Sequence, residues 1–197
     1  MNIFKYFCNP KFDSELVESN KTTDKLPIIR SYLTPNRWSR PGKKRIGVRG
    51  IEIHWVANPG TSAKANRNYF ESRKGGKRGF GSTHFIVDLD GDILQMIPEK
   101  EIAYSSGGKK YKEKAKLALG KKPYMNTISI ECCHVDWDGK MTSSTITSLT
   151  SLCRLLCRRY NLTGWDLYLH YDITGKICHK WFVENPEHWK EFKIYVG

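Results

Sequence analysis

The chain lacks any apolar run approaching the roughly 20 residues that cross a bilayer as a helix, so no helical membrane span is expected. Its start, Met1 to Cys8, has too short an apolar stretch and no small-residue cleavage site. It does not read as a signal peptide, and a product made in the cytoplasm without one is expected. There is no internal repeat and no low-complexity segment. At 197 residues the chain can bury one good core and is short for two. One domain with an N-terminal extension is expected.

Acidic residues are also scarce. There are 20 Asp plus Glu against 33 Lys plus Arg, a net charge of +13. Such an excess favours a polyanionic partner: nucleic acid, an anionic membrane surface, or a bacterial wall rich in phosphates and carboxylates. No recognisable nucleic-acid motif is present and Tyr111 is the single aromatic among the clustered lysines, so nucleic acid is not the expected partner. Lys109, Lys110, Lys112, Lys114, Lys116, Lys121 and Lys122 cluster with Glu113 as the only acid among them. That run reads either as a solvated face or as an anion-binding surface.

Six cysteines are present, and without an export signal they are expected to stay reduced. Cys132 and Cys133 are neighbours on an expected strand and must point to opposite faces. Cys153 and Cys157, four apart on an expected helix, read as core packing. Only Cys178 has partners at a suggestive spacing.

Residues 1–45 carry Pro10, Pro27, Pro35 and Pro41 and little periodicity, so they read as an N-terminal extended arm whose Ile28–Leu33 stretch could pack on the domain. Residues 46–197 form the expected domain. Val48 to Trp55 reads as a buried strand ending near His54, and Thr61 or Ser62 as the cap of a helix through Phe70. Thr83 to Asp88 and Ile93 to Ile97 form a hairpin about the turn at 89–92. Thr127 to His134 reads as a central strand carrying Glu131. Ile146, Leu149, Leu152, Cys153, Leu156 and Tyr160 recur at helical spacing, Leu167 to His170 is a short strand, and Glu187 to Lys193 a terminal helix. Strands interleaved with helices give an α/β fold: a single domain with a central mixed β-sheet flanked by helices.

His54, His170 and Cys178 carry the chemistry. Two imidazoles and one thiolate make three zinc ligands and leave a fourth tetrahedral position open, the ligand count of a hydrolytic site. Each histidine alone reads as a structural residue; the combination with Cys178 favours a metal. Glu131 sits among apolar residues on an internal strand, where a carboxylate is expensive unless paired, metal-associated or protonated. The raised pKa that burial brings suits a general base or acid near pH 7, and the alternative is a buried ion pair. Lys176, two residues before Cys178, reads either as a group that stabilises a tetrahedral oxyanion or as a solvated loop lysine.

Four segments occur in one order: Ile-Glu-Ile-His-Trp-Val-Ala-Asn-Pro-Gly-Thr at 51–61, Ser-Thr-His-Phe-Ile-Val-Asp-Leu-Asp-Gly at 82–91, Ile-Ser-Ile-Glu at 128–131 and His-Tyr-Asp-Ile-Thr-Gly-Lys-Ile-Cys at 170–178. From about residue 47 to 185 the chain resembles the type-2 N-acetylmuramoyl-L-alanine amidases, a family of phage endolysins, bacterial autolysins and animal peptidoglycan recognition proteins. The resemblance implies a mixed sheet flanked by helices and one zinc held by His54, His170 and Cys178. It also implies Glu131 as the catalytic glutamate and Lys176 as the lysine acting on the oxyanion. The implied reaction is hydrolysis of the amide between N-acetylmuramic acid and L-alanine in bacterial peptidoglycan, by a lytic enzyme acting on the wall after release. The basic surface or the arm would then hold anionic wall polymers.

Two positions depart from the family pattern. Thr83 stands where some members have a tyrosine, and Ala103-Tyr104-Ser105-Ser106 where others have an Ala-Trp-His-like segment with a substrate-contacting histidine. The alternative reading is a non-catalytic peptidoglycan-binding module, since members that lose the cysteine ligand bind without cutting. The presence of Cys178 argues for activity.

Overall fold

In the computed structural model of the chain, residues 26–107 and 110–197 are described. The start from Met1 to Cys8, the remainder of the arm before residue 26, and Lys109 lie outside them. The strands are β1 (Ile28–Arg30), β2 (Gly50–Trp55), β3 (Phe85–Val87), β4 (Ile93–Gln95), β5 (Thr127–Cys132) and β6 (Leu167–Leu169). They form one sheet in the order β1-β4-β3-β5-β2-β6. Among the described strands the β3–β4 hairpin is antiparallel and the other neighbours run parallel, so the sheet is mixed. The proline-rich arm thus supplies an edge strand: Ile28 pairs in register with Ile93.

The helices are α1 (Ala63–Ser72), α2 (Glu113–Leu119), α3 (Ser143–Tyr160), α4 (His170–Thr174), α5 (Lys180–Glu184) and α6 (Pro186–Val196). Ser62 caps α1 by accepting from the Ala65 amide at 3.2 Å, which satisfies one of the free N–H groups of the first turn. Thr142 caps α3 in the same way through Thr145. Its hydroxyl also donates to Leu89 O at 2.6 Å, and that of Thr145 to Asp88 O at 2.8 Å, so the helix start is fastened to the hairpin turn. Gly91 closes that turn at φ +95°, where a Cβ would meet Ser148 Oγ at 2.9 Å. Both the dihedral and the close approach require glycine.

Strand alternation sorts the side chains into two layers. Ile51, Ile53, Phe85, Val87, Ile128, Ile130 and Cys132 face α3 and α6, packing on Leu149, Leu152, Leu156, Phe192 and their neighbours. Ile86, Leu94 and Cys133 belong to a separate cluster with Ala63 of α1. Cys132 and Cys133 therefore enter different cores, and Cys153 and Cys157 pack in the larger one. The five cysteines among the described residues are all free. No helix among them is long and apolar enough to cross a membrane.

The strands are shorter than the sequence pattern predicts. The expected strand through His134 ends at Cys132, and β6 ends at Leu169 so that His170 opens α4 instead of closing the strand. Asp172 explains the second difference: its carboxylate accepts from the Leu169 amide at 2.8 Å and caps the turn as soon as the strand is complete.

Candidate metal centre

In β2 the residues Glu52 and His54 share a face, opposite to Ile51 and Ile53. The parallel register sets His54 beside Glu131 of β5, and Glu131 beside Ile86 of β3. The polar groups of the centre therefore gather on the sheet face away from α3, at the carboxyl ends of β2 and β5, where open α/β sheets leave a crevice. His170 arrives from β6, the other neighbour of β2, and Cys178 returns on the loop after α4. That loop is held by the Tyr171 amide donating to Cys178 O at 2.9 Å.

One ligand atom each from His54, His170 and Cys178 lies within 4.8 Å of the other two, all three residues being buried. Cys178 Sγ is 3.5 Å from His54 Nδ1. The other ring nitrogen of His54, Nε2, is 3.1 Å from Glu52 Oε1. The negative charge beside Nε2 favours the proton on that nitrogen and leaves Nδ1 to face the thiol. His170 Nε2 donates to Gly107 O at 3.3 Å, which likewise fixes the tautomer and leaves Nδ1 as donor. Two oriented imidazole donors and a thiol, buried together, fit a zinc ion.

Electrostatics reinforce the arrangement. Burial would push Glu52 up, but His54 and the hydroxyl of Ser106 pull it down to about 2. Burial opposes charge on His54 too, and Glu52 and Cys178 overcome it, holding the imidazole well above its ordinary value. His170 is pushed down to about 4 by burial and by the charge on His54, so it is neutral at pH 7. Glu131 is raised to about 7, burial outweighing the attraction of His54 and Lys176. Its Oε2 is buried without a hydrogen-bond partner among the described residues. Lys176 is exposed, yet its charge acts on both Glu131 and His170. The centre thus combines a candidate ligand trio, an unsatisfied carboxylate poised near neutrality and a nearby ammonium.

Sequence reading missed the groups that hold this trio. Glu52 is fully buried, and its Oε2 accepts from Ser105 Oγ at 2.8 Å and Ser106 Oγ at 2.6 Å. The available signal was a lone carboxylate in an apolar strand, two residues before a candidate ligand and therefore on its face. The two serines come from the segment that departs from the family pattern, and nothing local in the sequence connects them to Glu52. Thr83 is buried and donates to Ser129 Oγ at 3.1 Å, a structural bond within the sheet.

The family model for N-acetylmuramoyl-L-alanine amidases matches residues 43–181, which include His54, Glu131, His170, Lys176 and Cys178. The chain belongs to that amidase family. It is 36% identical over 172 residues to the N-acetylmuramoyl-L-alanine amidase CwlL of Bacillus licheniformis, a match covering 86% of this chain and 46% of that protein. This amidase-family chain spans about half the length of the curated relatives it matches. Among solved structures, its fold matches a mutant endolysin from Bacillus subtilis with a TM-score of 0.66 at 23% identity, covering 88% of this chain and all of that one. It matches the PlyG catalytic domain with a TM-score of 0.67 at 20% identity, covering 87% and 93%.

Proposed function

We propose that this chain is a zinc-dependent N-acetylmuramoyl-L-alanine amidase that hydrolyses the amide between the lactyl group of N-acetylmuramic acid and L-alanine of the stem peptide, as a lytic enzyme of the endolysin or autolysin kind. Its substrate is bacterial peptidoglycan, which it reaches after release from the cytoplasm. The observation that carries this reading is the trio of ligand atoms within 4.8 Å of one another, flanked by the half-buried Glu131 whose Oε2 is sequestered from solvent, in a member of that family.

His54, His170 and Cys178 would hold one zinc ion. When bound, zinc supplies a Lewis acid that polarises the amide carbonyl and acidifies the attacking water. Glu131, raised to about 7, is substantially ionised at neutral pH and accepts the proton of that water. It then returns a proton to the departing alanine nitrogen, so the products are a lactyl carboxylate on the glycan and a free peptide amine. Lys176, whose charge is felt at Glu131 and His170, stabilises the oxyanion of the tetrahedral intermediate. Glu52, fixed by Ser105 and Ser106, keeps His54 in the tautomer that offers Nδ1.

Mass spectrometry of purified peptidoglycan digested by the chain tests this reading. Stem peptides with a free alanine N-terminus are expected, their release abolished by a chelator and restored by zinc. Peptidoglycan that is bound but left uncut would establish the non-catalytic binding module instead.

A further inference from the structure

Four aromatic rings run in a row that passes through the segment supplying Ser105 to the candidate metal centre. Trp38 lies against Phe80 with centroids 4.7 Å apart, Phe80 against Tyr104 at 5.2 Å, and Tyr104 against Tyr124 at 5.9 Å. The row joins the centre through two residues, because Ser105, next to Tyr104, donates to Glu52, which contacts His54. Phe80 is 53% exposed. A phenyl ring left half in water forgoes part of the roughly 1.5–3 kcal/mol that full burial supplies, and a free loop would fold it away.

This loop is not free. Arg73 Nη1 donates to the carbonyls of Arg78, Gly79 and Phe80 at 2.7, 3.3 and 3.2 Å, while Nη2 donates to Tyr69 Oη at 2.9 Å. The Gly81 amide donates to Trp38 O at 3.1 Å. Gly76 sits at φ +80°, and a Cβ there would meet the Trp38 indole at 2.8 Å. Trp38 is held in turn by its amide donating to Asn36 Oδ1 at 2.7 Å. The rings are fixed before any ligand arrives, the preorganisation that a binding surface needs and a solvent-facing loop does not.

We infer that this row is a glycan subsite, which stacks pyranose rings of the strand whose stem peptide is cut at the neighbouring centre; the inference rests on the proposed function. A pyranose presents a face of weakly positive C–H groups that suits the negative face of an aromatic ring, and keeps its hydroxyls at the edge. Cations border this row: Arg37 packs over one face of Trp38 at 5.3 Å, and Arg73, which holds the Phe80 carbonyl, lies with Arg78 over the neighbouring Tyr69 at 5.0 and 5.1 Å. That suits a sugar polymer bearing lactyl carboxylates. Continuity with the hydrolytic centre selects the glycan over an unrelated protein partner.

The test titrates the full chain with the N-acetylglucosamine tetramer, a glycan with no peptide. Calorimetry should detect binding, and amide shifts should move at Trp38, residues 76–82 and Tyr104. Phe80→Ala, which removes a half-exposed ring and should lower Tm by only a few degrees, should weaken binding roughly threefold to tenfold. Phe80→Trp should retain it. On peptidoglycan, Phe80→Ala should raise KM with kcat unchanged and leave a single-sugar muropeptide unaffected. No tetramer binding, or binding indifferent to Phe80→Ala, overturns the subsite, and so does a fall in kcat at constant KM. A parent chain that binds the tetramer but cuts no peptidoglycan would remove the proposed function and leave the subsite standing; one that cuts but ignores the tetramer would do the reverse.

Discussion

Glu52 and His54, two residues apart on one strand face, meet with Glu52 Oε1 3.1 Å from His54 Nε2, both side chains being buried. This pairing orients the imidazole and raises its basicity. Outer partners of this kind typically contribute 10- to 100-fold in metal affinity. Glu52→Gln should therefore release zinc to a chromogenic chelator at roughly 10- to 100-fold lower chelator concentration than the parent. Parental zinc affinity in that variant would show that His54 needs no such partner. The pair also gives the metal-free chain a pH signature. Glu52 is depressed from 4.5 to about 2, so its stabilisation is complete above about pH 4.5 and is lost as pH falls through about 2.

Cys178→Ser replaces a thiolate donor by a hydroxyl that stays protonated at pH 7. Elemental analysis should show clear metal loss from that variant, against one zinc per chain in the parent. Undiminished stoichiometric zinc would remove Cys178 from the site.

Glu131 links activity and stability with opposite signs. Glu131→Gln should lower turnover by about 10²- to 10⁴-fold while keeping the metal. The acidic limb of the parent's pH–rate profile should fall as pH drops through about 7, where Glu131 takes up its proton. Because the folded state raises this carboxyl from 4.5 to about 7, the native chain binds the extra proton, and stability declines as pH rises across that interval. The glutamine variant should escape the decline and gain on the order of 1–3 kcal/mol at pH 8 relative to the parent. Activity within about fivefold of the parent, a loss below the usual range for such groups, would reassign Glu131 to a structural role.

Arg45 is buried, and its guanidinium donates to the carbonyls of Glu99, Glu101 and Thr127 and contacts His84 Nε2. Burial lowers its pKa to about 10, so it stays charged at neutral pH. It binds the strand carrying Glu131 to the segment leading to Ser105. Arg45→Met should destabilise by roughly 3–5 kcal/mol, since it strands several buried acceptors. A denaturation midpoint within error of the parent would mean that water replaces the guanidinium.

Lys110, Lys112, Lys114, Lys121 and Lys122 are exposed around α2, whereas Lys116 pairs with Glu113 at 2.5 Å. If they hold the proposed amidase on an anionic wall, lysis of intact cells should fall as salt shortens the Debye length from about 10 Å at 0.1 M to about 3 Å at 1 M. Cleavage of a small soluble muropeptide should change little. Replacing Lys110, Lys112 and Lys114 by Gln should slow wall lysis and spare the small substrate. Equal losses on both would put these lysines in the catalytic groove.

Much of this protein follows from sequence alone. Periodicity separates the strand around His54 from the helix of Leu149, Leu152 and Leu156, because period 2 and period 3.6 bury different residues. Ligand chemistry singles out His54, His170 and Cys178, since few residue types can hold a metal. The sequence likewise marks Glu131, because a carboxylate among apolar neighbours is costly without a purpose. Tertiary structure alone decided the rest. The arm segment Ile28–Arg30 became an edge strand because β4 offered an unpaired parallel edge, a partner 65 residues away that no local pattern encodes. Ser105 and Ser106 became the anchors of Glu52, and Trp38 met Phe80, only when loops distant in sequence converged on one end of the sheet. Local sequence fixes which side chains face inward; which inward-facing groups touch depends on strand order, and strand order is a property of the whole chain.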